Sequence, residues 1–324
     1  MSTNLYINLL AQAEKLYRHN RQGSYKTRAR YFEAYKRFIR YIAEVFRLEK
    51  IANISGKHLS GYVEYMQSKN YSASTIKTDL AAIRFWHDQM PNAKYSLPSN
   101  DEFELHRRKF GGVDRAWSSA EFARMIGECM KANRDDFEAC IVISYYSGLR
   151  LHEVMRIDTA IARAALKTGF ITIKGKGGKV REVPIQETIM IEFEKFLKTT
   201  APGDKLFVPA GKPTHIVMTE LQNFINNHRK FAQDPDSTRP MTFHGLRHSF
   251  APARYKELID EGKTDYQARK QLSKSMGHER ADVTRIYLPS VVKESDGRPD
   301  KSVRGDGGGN SAMDSRRKDG GSDG

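Results

Sequence analysis

Six side chains in the second half of the sequence could act together on one anion. They are Arg150 in "SGLRLHEVMRI", Lys176 in the turn "GKGGK", His244 and Arg247 in "TFHGLRHSF", His278 in "GHER" and Tyr287 in "RIYL". His244 and Arg247 are three apart, so on a helix they share a face and can reach the same oxyanion. Arginines fork onto nonbridging oxygens, imidazoles give or take protons, a lysine can release one, and a phenol can attack. Breaking a phosphodiester without a metal demands this set: a nucleophile, an acid for the leaving oxygen, and fixed positive charge around an in-line transition state. Singly, each has a plainer reading as a surface pair, a solvated hairpin lysine, a structural histidine or a packing tyrosine. Their number and order of appearance are what point to chemistry. Tyr255 and Tyr266 are rival tyrosines in the same region, but neither follows His278 as Tyr287 does, nine residues on.

The elements that must position these residues can be read from periodicity and caps. Pro-free periodic stretches over residues 4–20 and 24–48, then "GKHLSGYVEYMQSK" and "TIKTDLAAIRFWHDQM" behind Ser55 and Ser74 as N-caps, predict a four-helix bundle. Pro98, Gly111 and Gly112 with little periodicity mark a connecting stretch before Trp117. Beyond it Ser118 and Glu121 have capping-box spacing, and the apolar helix "DFEACIVISYYSG" should stop at Gly148. A short helix is expected around Glu153 to Ile157, followed directly by a β-hairpin from "FITI" and "VREVPI". Helices return in "ETIMIEFEKFLKTT", in "THIVMTELQNFINNHRKFAQ" and from Phe243 onward, where Pro252 should kink the helix carrying His244 and Arg247. The expected division is a helical domain over 1–110, a linker over 111–116, a second domain over 117–292 and a tail over 293–324. That tail is too poor in apolar residues to offset its ordering entropy and is expected to be disordered. The fold class is therefore mostly α with a small β-sheet.

Charge narrows the class of partner. The chain of 324 residues carries 54 Lys and Arg against 39 Asp and Glu, a net +15 that favours a polyanion. Residues 1–110 hold 19 of the basic residues against 10 acidic ones, interleaved with aromatics in "YKTRARYFEAYKRFIRYIAEVFR". Tyr31, Tyr35, Phe38, Ile42 and Phe46 fit a core stripe, which leaves the basic residues for another face of the same helix. Apolar runs such as "CIVISYY" fall far short of the roughly 20 residues of a membrane span, and no signal-peptide pattern opens the sequence. A cytoplasmic, nucleoid-associated protein is expected. Cys129 and Cys140 read as buried reduced thiols, and neither a metal nor a cofactor is expected, since no ligand spacing surrounds them.

The ordered series "SGLRLHE", "KGKGGKVREVPI", "FHGLRHSF" and "MGHERADVTRIY" resembles the tyrosine recombinases, or phage integrase family, over roughly residues 25–290. The resemblance implies a four-helix core-binding domain and a mixed α/β catalytic domain that together clamp double-stranded DNA, with a tetramer acting on two sites. It puts the phosphate-binding arginines on Arg150 and Arg247 and the hairpin lysine on Lys176. The histidines fall on His244 and His278, and the nucleophile on Tyr287. The activity implied is site-specific cutting and rejoining of DNA through a 3′-phosphotyrosine intermediate, in integration or excision of a mobile element. Two alternatives share parts of this pattern: a type IB topoisomerase relaxing DNA alone, and a DNA-binding regulator that has lost catalysis. Pro252, a long stretch between Arg247 and His278, and the polar segment after Tyr287 depart from the family pattern.

Overall fold

The computed structural model describes residues 2–105, 115–175, 178, 180–277 and 288. Lys176, His278 and Tyr287 lie outside the described residues, as do most of the expected linker and the whole expected tail. The chain divides into two compact units, Met1–Lys109 and Phe110–Gly324. No described helix is long and apolar enough to cross a membrane.

The first unit is helical: α1 (Ser2–His19), α2 (Tyr25–Val45), α3 (Gly56–Ser68) and α4 (Ala73–His87), with 3-10 turns at Ile51–Asn53 and Asn100–Glu102. Ser24 caps α2 by accepting from the Thr27 N–H, and its apolar stripe buries Tyr35, Phe38, Ile39 and Ile42. Arg30, Lys36, Arg37 and Arg40 lie off that stripe and are not buried. Trp86 of α4 is fully buried, with the rings of Tyr17 and Phe32 centred 5.7 and 5.9 Å away. Between α2 and α4, the carboxylate of Asp79 is buried and takes hydrogen bonds from Arg37 Nη2 at 2.7 Å and Tyr62 Oη at 3.0 Å. Ser55 caps α3 as expected. The cap of α4 is Ser72 and not Ser74, because the Ser72 hydroxyl is the one that accepts from the N–H of Thr75.

The second unit contains α5 (Ser119–Lys131), α6 (Asp135–Ser147), α7 (Leu151–Val154), α8 (Thr159–Thr168), β1 (Phe170–Lys174), β2 (Val180–Pro184), α9 (Glu187–Leu197), α10 (Thr214–Ala232), α11 (Gly245–Asp260) and α12 (Asp265–Ser275). Helix α6 is apolar nearly all round and sits at the centre, packed by α5, α9 and α11. The capping box at Ser118 and Glu121 forms as the spacing predicts, and α6 stops at Gly148, whose φ of +64° suits glycine. Gly148 also has no room for a side chain, since an added Cβ would lie 2.9 Å from Phe250 Cε1.

One element goes beyond the sequence expectation. Between α7 and β1 the chain forms α8, capped by Asp158 through the Ile161 N–H and closed by Gly169 at φ +78°. Its start and stop signals, an Asp N-cap and a closing Gly, are ordinary ones. Pro252 lies inside α11, where its missing N–H leaves one intrahelical hydrogen bond unmade. The mostly α fold with one small antiparallel sheet is as the sequence predicts: β1 pairs with β2 in the register Ile171↔Val183 and Ile173↔Arg181. Alternation turns Ile171, Ile173, Arg181 and Val183 to the buried face. Both cysteines are free and buried, and burial pushes the Cys129 thiol up to about 12, which leaves it an unreactive core group.

Candidate active site

Arg247 is the most constrained of the six residues. It lies in the first turn of α11 and is fully buried, although arginine is almost never so unless its donors are met. Its guanidinium donates through Nη1 to the Gly148 carbonyl and through Nη2 to the Met276 carbonyl at 3.0 Å. These contacts bind α11 to the loop after α6 and to the end of α12. The helix can start there because Gly245 has no side chain: a Cβ would meet the Arg115 carbonyl and lie 2.7 Å from Trp117 Nε1. Trp117 fixes the other side, donating Nε1–H to the Thr242 carbonyl at 3.0 Å and its backbone N–H to the Ser249 hydroxyl at 2.8 Å.

Arg150 lies two residues past the carbonyl that holds Arg247, as the N-cap of α7. Its backbone N–H donates to Glu153 Oε2 at 2.8 Å and its Nη1 to Glu153 Oε1 at 3.2 Å. A third of its side chain remains exposed. Glu153 is 1% exposed and is held from the far side by Arg181, whose Nη2 lies 2.8 Å from Oε2. Burial alone would raise the Glu153 pKa. The Arg181 hydrogen bond, the Arg150 N–H and both guanidinium charges outweigh that and carry it down to about 2.

His244 is the N-cap of α11 and is exposed, 5.4 Å ring to ring from His248. Crowding by surrounding protein, then the positive charges of Arg247, Arg115 and Arg150, hold its pKa down to about 4. At neutral pH it is a neutral imidazole. The structure thus brings Arg150, Arg247 and His244 together, close enough for both arginines to act on one ring. Lys176 falls between β1 and β2 in the sequence, and His278 and Tyr287 come after Gly277, which has φ +68° just past the end of α12; all three lie outside the described residues.

Three residues of this neighbourhood escaped the sequence reading. Glu153 had a signal, the R-x-x-E spacing of a cap reaching back to Arg150. Arg181 had a weaker one, since strand alternation puts it on the face of Val183 and a charge there needs a buried partner. Arg115 had none. It lies in the stretch expected to be a linker, yet its charge acts on His244.

Matches to known proteins fall in both units. A model described as the phage integrase family matches residues 119–294, and one described as a phage integrase N-terminal SAM-like domain matches residues 9–96. The chain is similar to the tyrosine recombinase XerC of Natranaerobius thermophilus, with 26% identity over 261 residues, 76% of this chain and 82% of the relative. It is also similar to the tyrosine recombinase XerD of Listeria monocytogenes serotype 4b, with 25% identity over 279 residues, 82% and 86% of the two chains. Among solved structures, lambda integrase bound to DNA superposes with a TM-score of 0.59 at 14% identity, covering 85% of this chain and 91% of that one. The Tn1549 transposon integrase in complex with a circular intermediate DNA gives a TM-score of 0.58 at 17% identity, covering 89% and 98%. At such identities these two likenesses establish the fold.

Proposed function

Since the chain belongs to the phage integrase family, the tyrosine recombinases, we propose that it cuts and rejoins DNA at specific sites through a 3′-phosphotyrosine intermediate, with Tyr287 as the nucleophile. The observation that carries this reading is the convergence on His244 of charge from Arg150 and Arg247, the first a third exposed and the second fully buried. Such an arrangement suits a phosphodiester, whose nonbridging oxygens gain negative charge in the transition state.

In the proposed step the Tyr287 oxygen attacks phosphorus, the bond from phosphorus to the 5′ oxygen breaks, and Lys176 protonates the departing 5′ oxygen. The phenol proton passes to His244, whose depressed pKa keeps a nitrogen lone pair free at neutral pH. Arg150, Arg247 and His278 hold the nonbridging oxygens. The phosphotyrosine conserves the bond energy, so a 5′ hydroxyl from a second strand can reverse the step without a nucleotide cofactor. Strand exchange of this kind needs four active sites on two duplexes, hence a tetramer on double-stranded DNA. Integration or excision of a mobile element is the role that fits.

A duplex drawn from the DNA flanking the gene and nicked beside the cut site traps the intermediate, because the short 5′ fragment diffuses away. Wild-type protein should form a covalent adduct on Tyr287 and Tyr287→Phe should form none. An adduct that survives in Tyr287→Phe, or plasmid relaxation without recombinant products, overturns the proposal. Lys176→Ala should recover cleavage on a substrate with sulfur at the 5′ bridging position, since that leaving group needs no proton.

A further inference from the structure

Arg181 occupies a position where strand alternation calls for an apolar side chain. It is on the inward face of β2 opposite Ile173, and only 9% of its surface is exposed. A buried ion pair is often no more stabilising than well-packed apolar residues of the same volume, so stability alone does not account for an arginine there. Its contacts suggest a different reason. Nη2 donates to Glu153 Oε2 at 2.8 Å, and Glu153 is the carboxylate that holds both the backbone and the guanidinium of Arg150. Nε donates to the Ser275 carbonyl at 2.9 Å, and the next carbonyl along, that of Met276, is the one that accepts Arg247 Nη2 at 3.0 Å. Gly277 lies against the same guanidinium, where an added Cβ would be 3.0 Å from Cζ and Nη1. One planar group therefore braces the support of Arg150 and the support of Arg247 at once.

We infer that Arg181 is a positioning residue that fixes the two phosphate-binding arginines relative to one another. The inference rests on the reading of Arg150 and Arg247 as the groups that hold the scissile phosphate. Arg181 touches neither the phosphate nor the reacting atoms, so its loss should act through the fit of the other two.

The test compares the full-length wild type, Arg181→Gln and Arg181→Lys in single-turnover cleavage of the nicked duplex. Each is run on the ordinary phosphodiester and on separate phosphorothioate diastereomers at the cut position. Arg181→Gln should slow the ordinary substrate on the order of 10- to 100-fold, as when a group that orients a charged ligand is lost. DNA affinity should change little. The ratio of oxygen to sulfur rates should move toward one, because the nonbridging oxygen is no longer gripped. Arg181→Lys keeps a charge against Glu153 but cannot fork to the Ser275 carbonyl, and should fall between. If Arg181→Gln does not fold, Arg181→Lys carries the same comparison. A variant that cleaves like wild type, or that slows all substrates by one factor with the ratio unchanged, overturns the positioning role. If wild type itself forms no tyrosine adduct, the phosphotransfer reading has failed instead.

Discussion

Replacing Glu153 by Gln removes one negative charge from a buried position shared by two guanidinia. The carboxylate is 1% exposed, 2.8 Å from Arg181 Nη2 and 3.2 Å from Arg150 Nη1. Its pKa falls from the ordinary 4.5 to about 2, a gap worth about 3 kcal/mol of stability at neutral pH. Removing one partner of a buried pair costs roughly 3–5 kcal/mol in other proteins, so two independent routes agree on the size. The sign follows from the direction of the shift. A carboxyl whose pKa is lowered by folding contributes fully above its unfolded value of 4.5, and the contribution drains away as pH falls toward 2. At pH 3 the advantage of wild type over Glu153→Gln should have shrunk to about 1 kcal/mol. Urea titration followed by the fluorescence of Trp117, 3% exposed in the second unit, measures this, with Trp86→Phe in both proteins to silence the first unit. A difference within about 0.5 kcal/mol at pH 7, as for ordinary surface changes, would refute the reasoning. So would a difference that stays constant down to pH 3.

Other consequences can be measured on the same protein. In the free protein the His244 ring should titrate near 4 by NMR, remaining neutral at every higher pH, and a midpoint near 6.5 would mean that neither crowding nor the arginines act on it. Gly148→Ala combines a left-handed backbone with a Cβ only 2.9 Å from Phe250 Cε1, and should cost about 2–4 kcal/mol in denaturant titration while displacing the carbonyl that holds Arg247. DNA affinity measured by fluorescence anisotropy should fall linearly on a log–log plot against salt, by about 0.9 per phosphate neutralised, and affinity indifferent to salt would leave the +15 charge without its expected role.

The sequence determined those features whose causes are local. Glycine at 148 ends α6, Ser118 and Glu121 open α5, and period-two alternation makes the hairpin, because each depends on groups within about one turn or one strand pair. Arg150, His244 and Arg247 stand out as candidate anion-binding groups from side-chain type and order along the chain alone. The α4 cap was misplaced by two residues because Ser72 and Ser74 are chemically alike, and only the backbone angle of one makes its hydroxyl the acceptor.

Tertiary structure decided which charges face inward and what satisfies them. Glu153 and Arg181 are 28 residues apart, Arg181 and Ser275 are 94 apart, and Arg247 and Gly148 are 99 apart. No local pattern encodes such pairings. They arise because packing excludes water from four separate segments at one place, and each buried charge there must then find its partner on another segment.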